Sequence, residues 1–167
     1  MENRNENYWK TFQNINDWIK FSDTKAGIIV TVYGLILTII YSNAQDVYTW
    51  TSSSIFILII TIVAVILTIL SVFFAFLCIN PSLKNKNPKS LIYFGHIATK
   101  NKKYLEYLSD ATTVFEDTDK LSTQLSEQIY ENSKIAWSKF KNVTYSIRLF
   151  FASILCLLII LISYYII

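Results

Sequence analysis

The residues best equipped for chemistry fall into three short groups. The first is Asp23 and Lys25, in the run DTKAG at 23–27. An acid and a base so placed can hold a ligand, the lysine taking a phosphate and the aspartate a sugar or base edge. The same pair can instead anchor a helix at a membrane interface, Lys25 snorkelling to the headgroups. The second group is Tyr93, Phe94, Gly95 and His96. Glycine permits close backbone approach and aromatic faces stack a planar base, as a nucleobase pocket requires. A purely structural histidine is the other reading. The third is Lys139, on the apolar face of a helical pattern, where an ammonium needs a carboxylate or a phosphate beside it.

Several classes are excluded by what these groups lack. His96 is the single histidine, and neither HxxxH nor CxxC spacing occurs, so no metal site is expected. Cys78 and Cys156 lie apart inside apolar blocks and do not suggest a disulfide framework. No phosphate loop or hydrolytic triad is present, and the chain reads as a non-enzyme without a cofactor. A net charge of +3 with no arginine-rich stretch gives no basis for a nucleic-acid partner.

The elements that must position these residues are set by blocks of apolar sequence. Of the 167 residues 53% are hydrophobic, gathered in runs and not spread periodically. Residues 26–42 carry no charge and are just long enough to cross a bilayer core of roughly 30 Å. Gly27 and Gly34 in this span would admit a close neighbouring helix. Residues 55–79 form the strongest span, ended by Asn80-Pro81, since the residue before proline disfavours the helical region. Residues 143–167 form the third, with Tyr164 and Tyr165 as interfacial anchors. The first span begins too far into the chain for a cleavable signal peptide and reads as an uncleaved anchor.

Basic residues set the direction. Arg4, Lys10, Lys20 and Lys25 precede the first span, the 43–54 loop has no lysine or arginine, and ten lysines lie between 81 and 142. The positive-inside rule places the N-terminus and the long segment in the cytosol, the 43–54 loop outside and the C-terminus outside. The expected fold is thus an all-α membrane protein with three transmembrane helices and a small cytosolic helical unit. Residues 1–25 form a cytosolic amphipathic helix, and residues 80–142 a cytosolic helical region.

Within the cytosolic parts, Tyr8, Phe12, Ile15 and Ile19 recur at helical spacing, flanked by Trp9 and Trp18. This helix either lies on the inner leaflet or packs on the remaining cytosolic chain, packing being the favoured reading, and it runs on into the first span. Residues 82–90, SLKNKNPKS, read as a loop. The run 91–98 fits either helix or extended chain, and 101–109 a short helix with Tyr104, Leu105 and Leu108 on one side. Asp117 or Thr118 caps a final helix of roughly 50 residues, about 75 Å long, uninterrupted to Ile167. Its inward stripe is Leu121, Leu125, Gln128, Ile129, Asn132, Ile135, Ala136 and Lys139. A unit of about 60 residues is small for an independent core, so it needs the N-terminal helix or a second copy of the chain, and a homo-oligomer is expected.

The ordered set DTKAG at 23–27, Asn80-Pro81, YFGHIA at 93–98, Tyr104, Gln128-Ile129-Tyr130, Ile135 and Lys139 resembles the transmembrane effectors of Pycsar, the bacterial pyrimidine-cyclase antiphage system. The resemblance implies a multi-pass protein of the inner membrane, activated by a cyclic pyrimidine nucleotide, cUMP or cCMP, from a partner cyclase. It implies that the activated effector impairs that membrane and that the infected cell dies or stops growing. Asp23, Lys25, Tyr93, Phe94, His96 and Lys139 are expected to converge as the ligand site, and membrane lipid is the other partner. The competing readings are a constitutive membrane interaction or accessory module without ligand, and a membrane-bound hydrolase using His96 and Asp23.

Overall fold

The computed structural model describes residues 2–80, 90–100 and 103–166. Its elements, in chain order, are α1 (Glu2–Ser42), α2 (Ala44–Ser52), α3 (Ile55–Ile79), α4 (Phe94–Lys100), α5 (Tyr104–Glu116) and α6 (Thr118–Ile166). The described residues contain no strand. Except for Ser90, the loop expected at 82–90 lies outside the described residues, as do Pro81 and residues 101–102.

The long first helix follows from the absence of proline and the tolerance of helices for isolated glycine. It stops at Asn43, whose backbone N–H donates to Ile40 O at 3.2 Å and whose side chain donates to Ile39 O at 2.9 Å. These bonds satisfy carbonyls that the helix end would leave bare. The connection from 43 to 54 is itself helical over Ala44–Ser52. Asp46 in its first turn favours the positive end of that helix. Ser54 is extended and starts α3, which Asn80 ends in extended backbone ahead of Pro81.

The chain forms two compact units. The first comprises Met1–Lys20 with Pro81–Ser138, and the second Phe21–Asn80 with Lys139–Ile167. In the first unit the beginning of α1 lies along the beginning of α6. Arg4 pairs with Asp119, and Asn132 donates to Asn16 Oδ1 at 2.8 Å. The expected stripe Tyr8, Phe12, Ile15 and Ile19 is the less exposed side of α1, and Trp9 and Trp18 stand outside it. On α6, Leu125 is fully buried and Gln128 almost so. The middle of the stripe read from the sequence, at Leu125 and Gln128, is therefore buried within one chain.

In the second unit, α1, α3 and the rest of α6 meet along small side chains. Ala26, Ala75, Cys78 and Val143 form one buried cluster, with Val30 and Ile147 packed against it. Small residues let helix backbones approach where lipid gives no hydrophobic drive to associate. Within the chain nothing lies within 4 Å of where a Cβ would stand at Gly27 or Gly34. The inward side of α1 is Ser22, Ala26, Ile29 and Tyr33, and both glycines lie off it. Three helices, Arg4–Ser42, Ile55–Ile79 and Thr118–Tyr164, are long and apolar enough to cross a membrane. Ile59, Ile62, Ile66, Ile69, Phe73 and Phe76 of α3 point outward and are exposed, as lipid-facing residues are and as a water-soluble surface seldom tolerates.

Candidate functional site

The polar residues of the second unit are placed by spacing along α6. Lys139, Ser146 and Ser153 follow one another at intervals of seven, so they recur on one seam of the helix. Each finds a partner on another helix. Lys139 Nζ donates to Asp23 Oδ1 of α1 at 2.5 Å and to the Cys78 carbonyl of α3 at 2.6 Å. Ser146 Oγ donates to Ser71 O at 2.8 Å, and Ser71 Oγ returns a bond to Ser146 O at 2.9 Å. Ser153 Oγ lies 2.8 Å from the Tyr33 hydroxyl, with the Tyr33 ring edge-on to Phe150.

Lys139 is the centre of this set. Its side chain is 9% exposed, against 38% for that of Asp23. An ammonium so buried needs its charge matched and its N–H donors used, and the carboxylate with the carbonyl does both. The bare carbonyl of Cys78, close to the end of α3, is the kind of acceptor a helix C-terminus offers. The Cys78 thiol lies 3.9 Å from the same Asp23 oxygen. Lys25 faces elsewhere, its ammonium 4.1 Å from the centre of the Phe21 ring.

In the first unit the run 91–98 resolves into a turn leading into α4. Ser90 Oγ accepts from the N–H groups of Ile92 and Tyr93, each at 3.3 Å. The Ser90 N–H donates to His96 Nδ1 at 2.9 Å, and both residues are buried. A histidine accepting at Nδ1 carries its neutral-state proton on Nε2. The Leu91 N–H donates to Gln124 Oε1 of α6 at 2.9 Å, which fastens the turn to the long helix. The Tyr93 ring is edge-on to His96. It also lies where a Cβ on Gly95 would stand, with Cε1 only 2.7 Å away, so any larger residue there would displace the Tyr93 ring. Phe94 is 68% exposed and offers an open aromatic face.

The six residues expected to bind ligand therefore divide between the units. Asp23 and Lys139 are bonded to one another in the second, which also holds Lys25. Tyr93, Phe94 and His96 are together in the first. Sequence reasoning missed Ser71, Ser146, Ser153 and Tyr33. The available signal was a polar residue every seventh position of α6 inside an apolar run. Among the described residues no cluster of three or more histidine, cysteine or acidic side chains could hold a metal ion.

Three long apolar helices tied by buried polar bonds, in a chain with a second, smaller helical unit, define an all-helical protein of the membrane-spanning class. The Pycsar effector protein domain matches residues 7–166, and the chain belongs to that family of transmembrane effectors of antiphage defence. It is 24% identical over 155 residues to a Pycsar effector protein of Propioniciclava tarda, covering 90% of this chain and 75% of the relative. It is 27% identical over 145 residues to a Pycsar effector protein of Staphylococcus aureus, covering 82% of each. No solved structure matches it.

Proposed function

We propose that the protein senses a cyclic pyrimidine nucleotide, cUMP or cCMP, supplied by a partner cyclase, and responds by impairing the inner membrane so that the infected cell dies or stops growing. The observation that carries this reading is the span of the Pycsar effector domain, which takes in nearly all of both units. The N-terminus and the 80–142 region are cytosolic in this reading, where a cyclase product is available, and the C-terminus faces outward.

The ligand contacts proposed are those of the sequence reading. Tyr93 and Phe94 stack the base, with Phe94 the open face, and His96 contacts the ligand from the turn beside them. Asp23, Lys25 and Lys139 supply charge. A nucleotide phosphate that reached Lys139 would compete with Asp23 for the ammonium and loosen a bond between α1 and α6. The effector acts without catalysis and assembles as a homo-oligomer among membrane lipids.

Coexpression with a uridylate or cytidylate cyclase, read by a membrane-potential dye, tests this reading. Depolarisation with an active cyclase and none with a catalytically dead one is expected. Depolarisation that ignores the cyclase would support a constitutive membrane module, and nucleotide turnover by the purified protein would support a hydrolase.

A further inference from the structure

Gln128 of α6 is 2% exposed, and its amide nitrogen has no hydrogen-bond acceptor among the described residues. A buried N–H left unpaired destabilises the fold, so an amide kept at such a position needs a reason. The inward stripe of α6 otherwise takes Leu121, Leu125 and Ile129 at neighbouring positions, and leucine would fill this one without an orphaned donor.

The polar groups on either side of Gln128 are paired. One turn before it, Gln124 Oε1 accepts the Leu91 N–H at 2.9 Å. One turn after it, Asn132 Nδ2 donates to Asn16 at 2.8 Å. Residues four apart share a helix face, so Gln124, Gln128 and Asn132 form one polar row. The Leu91 bond holds the turn of Ser90 and His96 at one end of that row, and those two residues are bonded to each other. Two other buried side-chain atoms lack partners among the described residues, Asn5 Oδ1 and Trp50 Nε1. Both belong to half-buried residues, whereas Gln128 is enclosed.

We infer that Gln128 is a base-reading residue, its amide N–H donating to a ring carbonyl of a pyrimidine nucleotide held in the first unit. This inference rests on the nucleotide reading above and adds a residue outside the six already named. An unpaired neutral donor in an enclosed setting matches a neutral carbonyl. The charged phosphate is better matched by an ammonium. Cytosine and uracil share a carbonyl at position 2, and uracil alone has one at position 4, where cytosine carries an amino donor.

The test uses the full chain in detergent micelles, with cyclic UMP and cyclic CMP as probes in calorimetry and thermal melting. Gln128→Leu should melt higher than wild type without nucleotide and bind the preferred nucleotide about tenfold more weakly or worse. A merely structural glutamine would not combine those two effects. Gln128→Glu keeps the shape but replaces the donor with an acceptor, and should also lose affinity, which guards against a Leu variant that fails to fold. Wild-type affinity in both variants overturns the inference and leaves an ordered water as the partner of the amide. A lower melting temperature for the Leu variant, with affinity retained by the Glu variant, makes Gln128 a packing residue and overturns it as well. If the wild type binds neither nucleotide, the nucleotide reading itself falls, and this inference with it.

Discussion

Lys139 and Asp23, on different helices, are joined by a 2.5 Å bond between ammonium and carboxylate, and the same ammonium reaches the Cys78 carbonyl of α3. One side chain thus ties three helices. Removing only one member of a buried pair leaves the other charge unmatched, whereas removing both does not. Asp23→Asn should destabilise the protein by about 1–3 kcal/mol, less than a fully enclosed pair would show, because the carboxylate is partly exposed. Asp23→Leu combined with Lys139→Met should recover part of that loss. Thermal melting of the wild type, Asp23→Leu, Lys139→Met and their combination in a double-mutant cycle measures the coupling. Strict additivity would mean that the pair contributes nothing as a pair.

The reciprocal serine bonds between Ser71 and Ser146 give a second prediction. Ser146→Ala removes one hydroxyl and should cost about 0.6–1.7 kcal/mol, the range for interhelical hydrogen bonds in membranes. Ser146→Leu should cost more, because Ser146 and Ser71 are fully buried and there is no room for a larger side chain. Melting in detergent that ranks alanine below leucine in damage supports close packing at this contact, and the reverse order refutes it.

His96 is bonded through Nδ1 to the Ser90 N–H, so its replacement tests the turn before it tests any ligand. His96→Ala should loosen residues 90–96 and raise amide exchange at Ser90. His96→Asn, whose side-chain oxygen can take the place of Nδ1, should restore protection. Loss of nucleotide response in the alanine variant alone therefore reports on folding. Loss in both variants, with the turn intact in the asparagine protein, identifies a ligand contact.

Much of this architecture could be read from the sequence, and the residues explain why. Apolar runs and an uninterrupted stretch after Asp117 dictate the spans and the length of α6. The periodic stripe from Leu125 to Lys139 dictates which side of that helix turns inward. Lys139 itself could be picked out because a lysine on an apolar face requires a partner, and Asp23 is that partner. What could not be read lies where the alphabet is silent. Serine in an apolar span can bond back to its own helix, as Ser163 does to Ile160, or across to another, as Ser146 does, and only packing decides. Gly27 and Gly34 have room for a neighbour, but the close packing within the chain falls at Ala26 and Ala75, because the seam is fixed by all residues of a face together. The run 91–98 was ambiguous because its order depends on the Ser90 to His96 bond, between residues whose types do not announce it.

The asymmetry of lysine and arginine about the three apolar blocks predicts an inward N-terminus and an outward C-terminus. A periplasmic reporter fused after Ile167 should be active, and a cysteine placed at Lys86 should react only with reagents that cross the membrane. Labelling of that cysteine by an impermeant reagent would invert the orientation and remove the basis for a cytosolic ligand.

The start of α6 carries a pH dependence whose sign is fixed by its hydrogen bonds. Asp117 Oδ1 accepts from the N–H groups of Lys120 at 3.1 Å and Asp119 at 3.0 Å. The Lys120 backbone N–H, with the Lys120 side chain after it, holds the Asp117 carboxyl below its ordinary value of 3.8. A carboxylate depressed in the folded state contributes stability above its unfolded pKa and loses it as pH falls through the folded one. Stability of the first turn should therefore be flat from neutral pH down to about 5 and fall below about 4, as the cap is protonated. Asp117→Asn should retain the cap and flatten this part of the acid limb, since asparagine accepts the same bonds and does not titrate. Asp117→Ala should lower the melting temperature at neutral pH and converge on the wild type in acid. Melting of the three proteins at pH 7 and pH 3.5 makes the comparison. A gap between alanine variant and wild type that persists undiminished at pH 3.5 would mean that the carboxylate is not the cap.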